Sequence, residues 1–174
     1  MKQKVKDLRV QIDGLAQLTK GLKVKYKYNV EHQLHGEVFL FELNQSPQIE
    51  KAVDSLYLAK AWLGKVLGAL GEDSPYPKDG TRKTVKDIEP TADRNEEVPF
   101  GDTEGSLWRD KSHIEKVDWL RQESSEVVKE VKVIPITLKM MSDDVNMGSY
   151  RAEGHLSEAR FQLGFELERI RKNG

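Results

Sequence analysis

The chain has 174 residues, of which 37% are apolar and 33% are charged, and its net charge is −1. This composition favours a soluble, helix-rich protein of one domain and argues against a tight β-sandwich. Because the chain has no cysteine, disulfides, thiolate catalysis and cysteine-ligated zinc are excluded.

The sequence shows no targeting or membrane segment. The opening residues, MKQKVKDLRVQIDG, lack the apolar stretch of a signal peptide. No run of residues approaches the roughly 20 apolar residues that a membrane span requires. We therefore expect a cytoplasmic protein with no membrane partner.

The first predicted element is a helix over residues 2–21. Val5, Leu8, Ile12 and Leu15 recur at spacings of three and four, a seam that needs a partner helix. Residues 1–30 carry eight Lys or Arg and two Asp, a charge of +6 against −7 for the remainder. Such a basic arm can bind nucleic acid or an anionic ligand, but we favour a solvated helix face beside a lysine-rich edge strand.

Strands are predicted from alternating residues. KVKYKYNV at 23–30 alternates lysine with apolar residues, and GEVFLFEL at 36–43 follows after a short loop. The period of two predicts two antiparallel strands. VKVIPITL at 131–138 predicts a third strand, with Pro135 in an edge position.

Three more helices are predicted. The first starts near Ser46, with Pro47 in the first helical position, and ends at Gly71. Its apolar stripe steps by three and four residues through Ala52, Leu56, Ala59, Leu63, Val66 and Leu70. The others span about 107–130 and 150–172. The polar segment 72–106 holds four prolines and three glycines, and a loop of this length is usually functional or disordered.

These elements predict an α+β fold that is mainly α. We expect an antiparallel helical hairpin or bundle with a small antiparallel β-sheet from the N-terminal region. Residues 1–45 would form the N-terminal helix and β-hairpin. Residues 46–174 would form a helical-hairpin domain with 72–106 as an inserted loop, and the whole chain would be one compact unit.

One helical pattern occurs twice, as AKAWLGKVLGAL at 59–70 and ARFQLGFELERI at 159–170. Each copy has a glycine in its middle, Gly64 and Gly164, where glycine costs roughly 1 kcal/mol relative to alanine. We expect these glycines to allow close approach where helices cross. The two helices could pack antiparallel in one chain, or each could pack on its equivalent in another subunit, and we favour a homo-oligomer.

The sequence contains no convincing catalytic or metal site. EHQLHGE at 31–37 places two histidines three residues apart, but in a predicted hairpin loop where polar residues are expected anyway. DGTRKT at 79–84 lacks the upstream glycine of a phosphate-binding loop, and no G-x-S-x-G motif occurs. We therefore predict no enzyme activity, no metal and no cofactor.

Cations and aromatics on the repeated helices are candidate ligand contacts. Tyr57, Lys60 and Trp62 lie at or beyond the border of the first apolar stripe, and Arg160 takes the place of Lys60 in the second copy. A cation and an aromatic on one border can bind a phosphate and stack a base. The alternatives are helix packing for Trp62 and a solvated side chain for Lys60.

The first copy and the residues after it carry a family resemblance. LYLAKAWLGKVLGALGEDSPYP, followed by IEPTAD, resembles the helical-hairpin family of phage sponges that sequester cyclic nucleotide immune signals and so counter the CBASS and Thoeris defences. Leu56, Ala59, Trp62 and Leu63 carry the motif. The resemblance covers residues 46–97 and, without the tryptophan, 150–172. The chain departs from the compact family hairpin, because residues 71–149 separate its two helices and a β-rich segment precedes them.

The resemblance implies a non-enzymatic protein that oligomerises through helices and holds its ligand without cleaving it. That ligand would be a cyclic oligonucleotide or a cyclic ADP-ribose isomer, bound in the host cytoplasm if the chain is phage-encoded. In the loop, phosphate and base contacts could come from Tyr76, Lys78, Thr91, Asp93 and Arg94. An ordinary solvent-exposed linker is the alternative for this loop. Two other functions stay open: a phage structural or accessory protein that assembles through its helices, and a nucleic-acid-binding accessory protein.

Overall fold

The part of the chain that the structure describes folds as a bundle of four helices. The computed structural model describes residues 1–22, 26–31, 38–43, 46–72, 92–94, 108, 110–137 and 143–173. The helices are α1 (Lys2–Lys20), α2 (Pro47–Ala69), α3 (His113–Thr137) and α4 (Asp143–Asn173). α2 packs along α4, which also packs along α3, while α1 lies against α2 and part of α3.

The two described strands form a single antiparallel ribbon. β1 (Tyr26–Glu31) pairs with β2 (Val38–Leu43), with Tyr26 opposite Leu43. Among the side chains that the structure describes, the buried apolar core comes from the four helices and Leu22. The predicted α+β class is therefore wrong. The fold of the described residues is a helical bundle, because their buried core comes from helices.

The third predicted strand is also wrong, because residues 131–137 form the end of α3. Val127, Val131 and Ile134 are buried at spacings of four and three, whereas Val133 is exposed. The alternating β-branched residues favour a strand locally, but the helical spacing allows one face to pack against the bundle. Packing overrides the local preference at this position.

The ends of α2 follow sequence signals. Ser46 caps the helix by accepting a hydrogen bond from the Ile49 backbone N–H at 3.1 Å, and Pro47 follows it. At the other end, Gly71 has a φ of 79° and the Glu72 N–H donates to the Leu67 carbonyl at 3.0 Å. This is a Schellman ending, which favours glycine at that position. The predicted limits of α2 are therefore confirmed.

The predicted limits of the other three helices differ in accuracy. The limits of α1 match the prediction closely. α3 begins and ends later than expected, and a reciprocal cap fixes its start: the Ser112 N–H donates to Glu115 Oε2 at 2.7 Å and the Glu115 N–H donates to Ser112 Oγ at 3.4 Å. α4 begins at Asp143, about two turns before the predicted start near residue 150.

α2 and α4, the two copies of the repeat, pack antiparallel. Ser46 at the start of α2 contacts Glu166 near the end of α4. Gly148 near the start of α4 lies against Val66 near the end of α2. These contacts place Leu56 about level with Leu156, and both are buried. The repeat is therefore paired within one chain.

The close approach between α2 and α4 is at Gly148. A Cβ there would lie 2.7 Å from Val66 Cγ2 and 3.5 Å from the Trp62 carbonyl oxygen. At Gly164 a Cβ would meet only the Arg121 side chain of α3, at an ordinary 3.5 Å. The expectation that Gly164 marks a helix crossing is thus wrong, and of Gly64 the structure shows only that it is buried.

Candidate functional site

Residues 92–94 lie at the junction of α1 and α2 and bring predicted site residues together. The Asp93 N–H donates to the Tyr57 carbonyl of α2 at 3.4 Å, and Ala92 packs against the core. Four of the nine residues selected from the sequence meet here: Tyr57, Lys60, Asp93 and Arg94. This junction is the candidate site.

Buried ion pairs connect three segments at the junction. Lys60 Nζ lies 2.9 Å from Asp13 Oδ1 and 4.0 Å from Asp93 Oδ2. Arg9 Nη2 lies 3.0 Å from Asp93 Oδ2, and Arg9 Nη1 donates to the Lys60 carbonyl oxygen at 2.6 Å. Gln17 Nε2 donates to Asp13 Oδ2 at 2.7 Å. We call Arg9, Asp13, Gln17, Lys60 and Asp93 the polar network.

The polar network is deeply buried, and its described members carry charges of both signs. Lys60 and Asp13 are 0% exposed, and each of the other members is at most 6% exposed. Among the residues that the structure describes, two cations, Arg9 and Lys60, face the two carboxylates of the network. Because burial of an unpaired charge costs several kcal/mol, removal of one member leaves a severe penalty. The network therefore ties residues 92–94 and α1 to α2.

An exposed cation and acid form the outer edge of the junction. The Arg94 guanidinium lies 5.6 Å from the centroid of the Tyr57 ring and makes an ion pair with Asp54 of α2. The side chains of Arg94 and Asp54 are more than half exposed, whereas Tyr57 is buried. The outer edge thus offers a solvent-accessible cation next to the polar network.

The remaining predicted contacts lie elsewhere or outside the described residues. Trp62 is buried at the α2–α4 contact, with Lys65 Nζ 4.9 Å and the Arg151 guanidinium 5.9 Å from its ring. Arg160 is exposed on α4. The other predicted contacts, Tyr76, Lys78 and Thr91, fall outside the described residues, as does the predicted hairpin loop 32–37.

Lys60 and Trp62 differ from their predicted surroundings. Sequence reasoning placed Tyr57, Lys60 and Trp62 at or beyond the border of the stripe, but all three are buried. α2 is enclosed by α1, by α4 and by residues 92–94, so its apolar face is wider than the stripe. Lys60 is neither on the surface nor solvated, because the carboxylates of Asp13 and Asp93 replace water.

Sequence reasoning missed the contribution of α1 to the site. Arg9, Asp13 and Gln17 are spaced four residues apart, so they share one face of the helix. That row runs beside the apolar positions Leu8, Ile12 and Leu15, which should have suggested that its charges are partly buried. The partner charges could not be identified, because Lys60 and Asp93 are distant in the sequence.

A second buried polar cluster lies near the start of α2. Ser46 Oγ donates to Glu166 Oε2 at 2.8 Å, and Arg169 Nη2 donates to Glu166 Oε1 at 2.6 Å. His113 Nε2 lies 4.0 Å from Glu166 Oε1 and has no hydrogen-bond partner among the described residues. Burial alone raises the pKa of Glu166, but His113, Arg169 and Ser46 lower it more strongly, from 4.5 to about 2. Glu166 is therefore a structural carboxylate that stays ionised.

Metal and membrane features are absent from the described segments. No group of three or more His, Cys, Asp or Glu side chains is placed to bind a metal ion there. Within the same segments, no helix has the length and apolar content that crossing a membrane requires.

Comparisons of the chain with protein families, with curated proteins and with solved structures find no match. The resemblance to the phage sponge family therefore stays a prediction.

Proposed function

We propose that the chain is a phage anti-defence sponge, which binds and sequesters a cyclic nucleotide-type immune signal without transforming it. The observation that carries the proposal is the junction of α1, α2 and residues 92–94. It gathers three cations, Arg9, Lys60 and Arg94, and one aromatic, Tyr57. Cations and aromatics are the groups that bind phosphates and bases.

The Asp93 carboxylate marks the position of a ligand phosphate in this proposal. It lies 3.0 Å from Arg9 Nη2 and 4.0 Å from Lys60 Nζ. An arginine fork binds a phosphate with the same geometry as a carboxylate. Because the Asp93 carboxylate occupies this position in the structure, the proposal requires residues 92–94 to move aside when the ligand binds. A ligand phosphate would then replace the Asp93 carboxylate between Arg9 and Lys60.

The outer edge of the junction would hold the rest of the ligand. Arg94 is exposed and supplies a second phosphate contact, and displacement of residues 92–94 would uncover the ring of Tyr57 for stacking. Tyr76, Lys78 and Thr91 belong to the same proposal as further contacts from the loop. Sequestration requires affinity alone, so the proposal includes no catalytic group and no cofactor.

Thermal shift measurements test the proposal. The full chain is heated with cyclic dinucleotides, cyclic trinucleotides and cyclic ADP-ribose isomers, each at roughly 100 times its dissociation constant. At that ratio a specific ligand stabilises the fold by about 2.7 kcal/mol, which shifts the melting temperature by several degrees. Ligand released by heat denaturation should be chemically intact. A folded protein that responds to none of these ligands would refute the proposal.

A matched pair of arginine variants tests the position of the site. Arg94→Gln should weaken binding about tenfold, because a charge-assisted contact is worth about 1.5 kcal/mol. Arg121→Gln, on the exposed side of α3, should leave the affinity within about twofold. Equal affinities for the two variants would contradict this site but not ligand binding itself.

A second candidate function is assembly through the helices, as a structural or accessory protein. It is favoured by the large apolar side chains that α4 exposes. Homo-oligomerisation is part of both candidates. The apolar stripe of α2, one of the two helices that could have packed on its equivalent in another subunit, is used inside the protomer, since its residues from Ala52 to Val66 are buried against the other helices.

Nucleic-acid binding by the basic N-terminal arm gains less support. Lys2 and Lys6 make ion pairs with Glu72, and Lys4 makes one with Glu130. Arg9 is buried in the polar network. Much of the positive charge on α1 is therefore balanced within the chain, and we do not propose this function.

A further inference from the structure

α4 has two apolar faces, and only one of them belongs to the core. Its inner face is buried against α2 and α3 through Ala152, Leu156, Ala159 and Leu163. A turn of 100° per residue places a second set of residues on the opposite side. We call this second set the outer stripe: Met147, Tyr150, Gly154, Phe161 and Phe165.

The outer stripe is exposed and contains large aromatic side chains. Tyr150 is 64% exposed and Phe161 is 60% exposed. The rings of Phe161 and Phe165 pack edge to face, with centroids 4.5 Å apart. Met147 and Phe165 are also exposed. Single exposed apolar residues are normal, but an aligned set along one helix indicates an interaction surface.

Gly154 lies in the middle of the outer stripe and has no role within the protomer. A Cβ at this position would meet no atom within 4 Å, so intramolecular packing does not require a glycine. Glycine is nevertheless the poorest helix former apart from proline. A bulky side chain from another helix would fit above it, because the missing side chain leaves a depression between neighbouring turns.

The charges at the two ends of α4 favour a second copy of the same helix as the partner. The first turn carries Asp143 and Asp144, and the last turn carries Arg171 and Lys172. A second α4 in antiparallel orientation brings the acidic start of each helix to the basic end of the other. The same orientation opposes the two helix dipoles favourably. A helix of this chain is thus complementary in charge to itself.

We propose that a second copy of this chain docks on the outer stripe, with the two α4 helices antiparallel about a twofold axis. One register sets Gly154 opposite Phe161 of the other copy. The same register sets Tyr150 opposite Phe165, and Asp143 opposite Lys172. The twofold axis then passes between residues 157 and 158. Such an interface is isologous, because each contact occurs twice.

Self-association of the full chain tests the surface. Analytical ultracentrifugation of the wild type should give a dimer at micromolar concentration. Phe161→Ser with Phe165→Ser should weaken the dimer at least about 100-fold, since exposed aromatic anchors dominate such interfaces. Phenylalanine and serine have similar helix propensities, and both residues are exposed in the protomer, so circular dichroism should be unchanged. Val10→Ser, an exposed apolar position on α1, is the matched control and should remain dimeric.

Two further experiments test the antiparallel register. Asp143→Lys or Lys172→Asp alone should weaken the dimer, and the double variant should restore it. Since the chain has no cysteine, Ser157→Cys places one thiol beside the proposed axis and should give an intermolecular disulfide on oxidation. Ser125→Cys on α3 should not do so at the same concentration.

Three outcomes would overturn the proposal. These are a monomeric wild type at high micromolar concentration, a dimer unaffected by the phenylalanine substitutions, and equal crosslinking by the two cysteine variants. None of these outcomes depends on ligand binding.

Discussion

The two copies of the repeated pattern have the same spacing but different surroundings. α2 is enclosed by α1, α4 and residues 92–94, whereas α4 keeps an exposed face opposite its core. Lys60 is fully buried, while Arg160, its counterpart, is exposed. Val66 and Glu166 are both buried, but Val66 packs near Gly148 and Glu166 binds the start of α2. Equivalent residues therefore acquire different roles from the elements packed around them.

The two helices should differ most in how much a substitution at position 60 or at its counterpart, position 160, changes the free energy of unfolding. Lys60→Met leaves Asp13 and Asp93 buried with fewer cations, so it should lower the free energy of unfolding by about 3–5 kcal/mol. Arg160→Met should change it by less than about 0.5 kcal/mol. Urea denaturation measures both values.

A double substitution sharpens the result at Lys60. Asp13→Leu combined with Lys60→Met removes one charge of each sign, so it should recover part of the loss. If the Lys60→Met and Arg160→Met variants were equally stable, burial of the Lys60 ion pairs would not make α2 more sensitive to substitution than α4.

The next largest effect is expected at Glu166 of α4. The equivalent residue of the repeat in α2 is Val66. The pKa of Glu166 is lowered from 4.5 to about 2, so its ionised form stabilises the fold by about 3 kcal/mol. A lowered pKa gives stability that is present above pH 4.5 and is lost as the pH falls toward 2. Glu166→Gln should therefore destabilise the protein at pH 7 and have progressively less effect between pH 4.5 and 2.

Urea denaturation at pH 7, 4 and 2.5 measures this dependence. Glu126→Gln, an exposed position on α3, is the control and should change stability little at any of these values. A loss for Glu166→Gln that stays constant over this pH range would show that ionisation of Glu166 does not stabilise the fold.

Glycine substitutions should change the stability by an intermediate amount, and they test where α2 and α4 approach most closely. Gly148→Ala places a Cβ 2.7 Å from Val66 Cγ2, and the resulting overpacking should cost about 1–3 kcal/mol. Gly164→Ala meets only an ordinary contact and should stabilise the helix by up to about 1 kcal/mol. The melting temperatures should therefore move in opposite directions. Movement in the same direction would contradict the assignment of the close approach to Gly148.

The smallest effect is expected at the outer edge of the junction. Arg94→Gln removes an exposed ion pair with Asp54, so the free energy of unfolding should fall by less than about 1 kcal/mol. The effect should weaken further in 0.5 M salt, because salt screens exposed charges. A loss comparable with that of Lys60→Met would mean that Arg94 belongs to the buried network.

Much of the helical architecture could be predicted, because each helix carries its own local signals. The seam of α1, the Ser46–Pro47 start and the Gly71 end depend on spacing and end chemistry within a few residues. The end of α3 could not be predicted from such signals. Its β-branched residues fit a strand as well as a helix, and only packing on α4 distinguishes the two.

The candidate site was only partly predictable for a related reason. Tyr57, Lys60, Asp93 and Arg94 were selected for their chemistry, and the structure brings them together. Trp62 and Arg160 were selected by the same reasoning but lie on other surfaces. The chemistry of these side chains does not show which of them lie at the junction. Their positions depend on which side of each helix faces α1.

The sequence by itself determined the helical periodicity, the two ends of α2 and the presence of one repeated pattern in α2 and α4. Those features rest on contacts between near neighbours in the chain, which spacing encodes directly. The tertiary structure decided that Lys60 is buried, that Gly148 carries the close approach and that the outer stripe of α4 is exposed. These outcomes depend on distant segments: α1 and Asp93 supply the charges that make the burial of Lys60 tolerable.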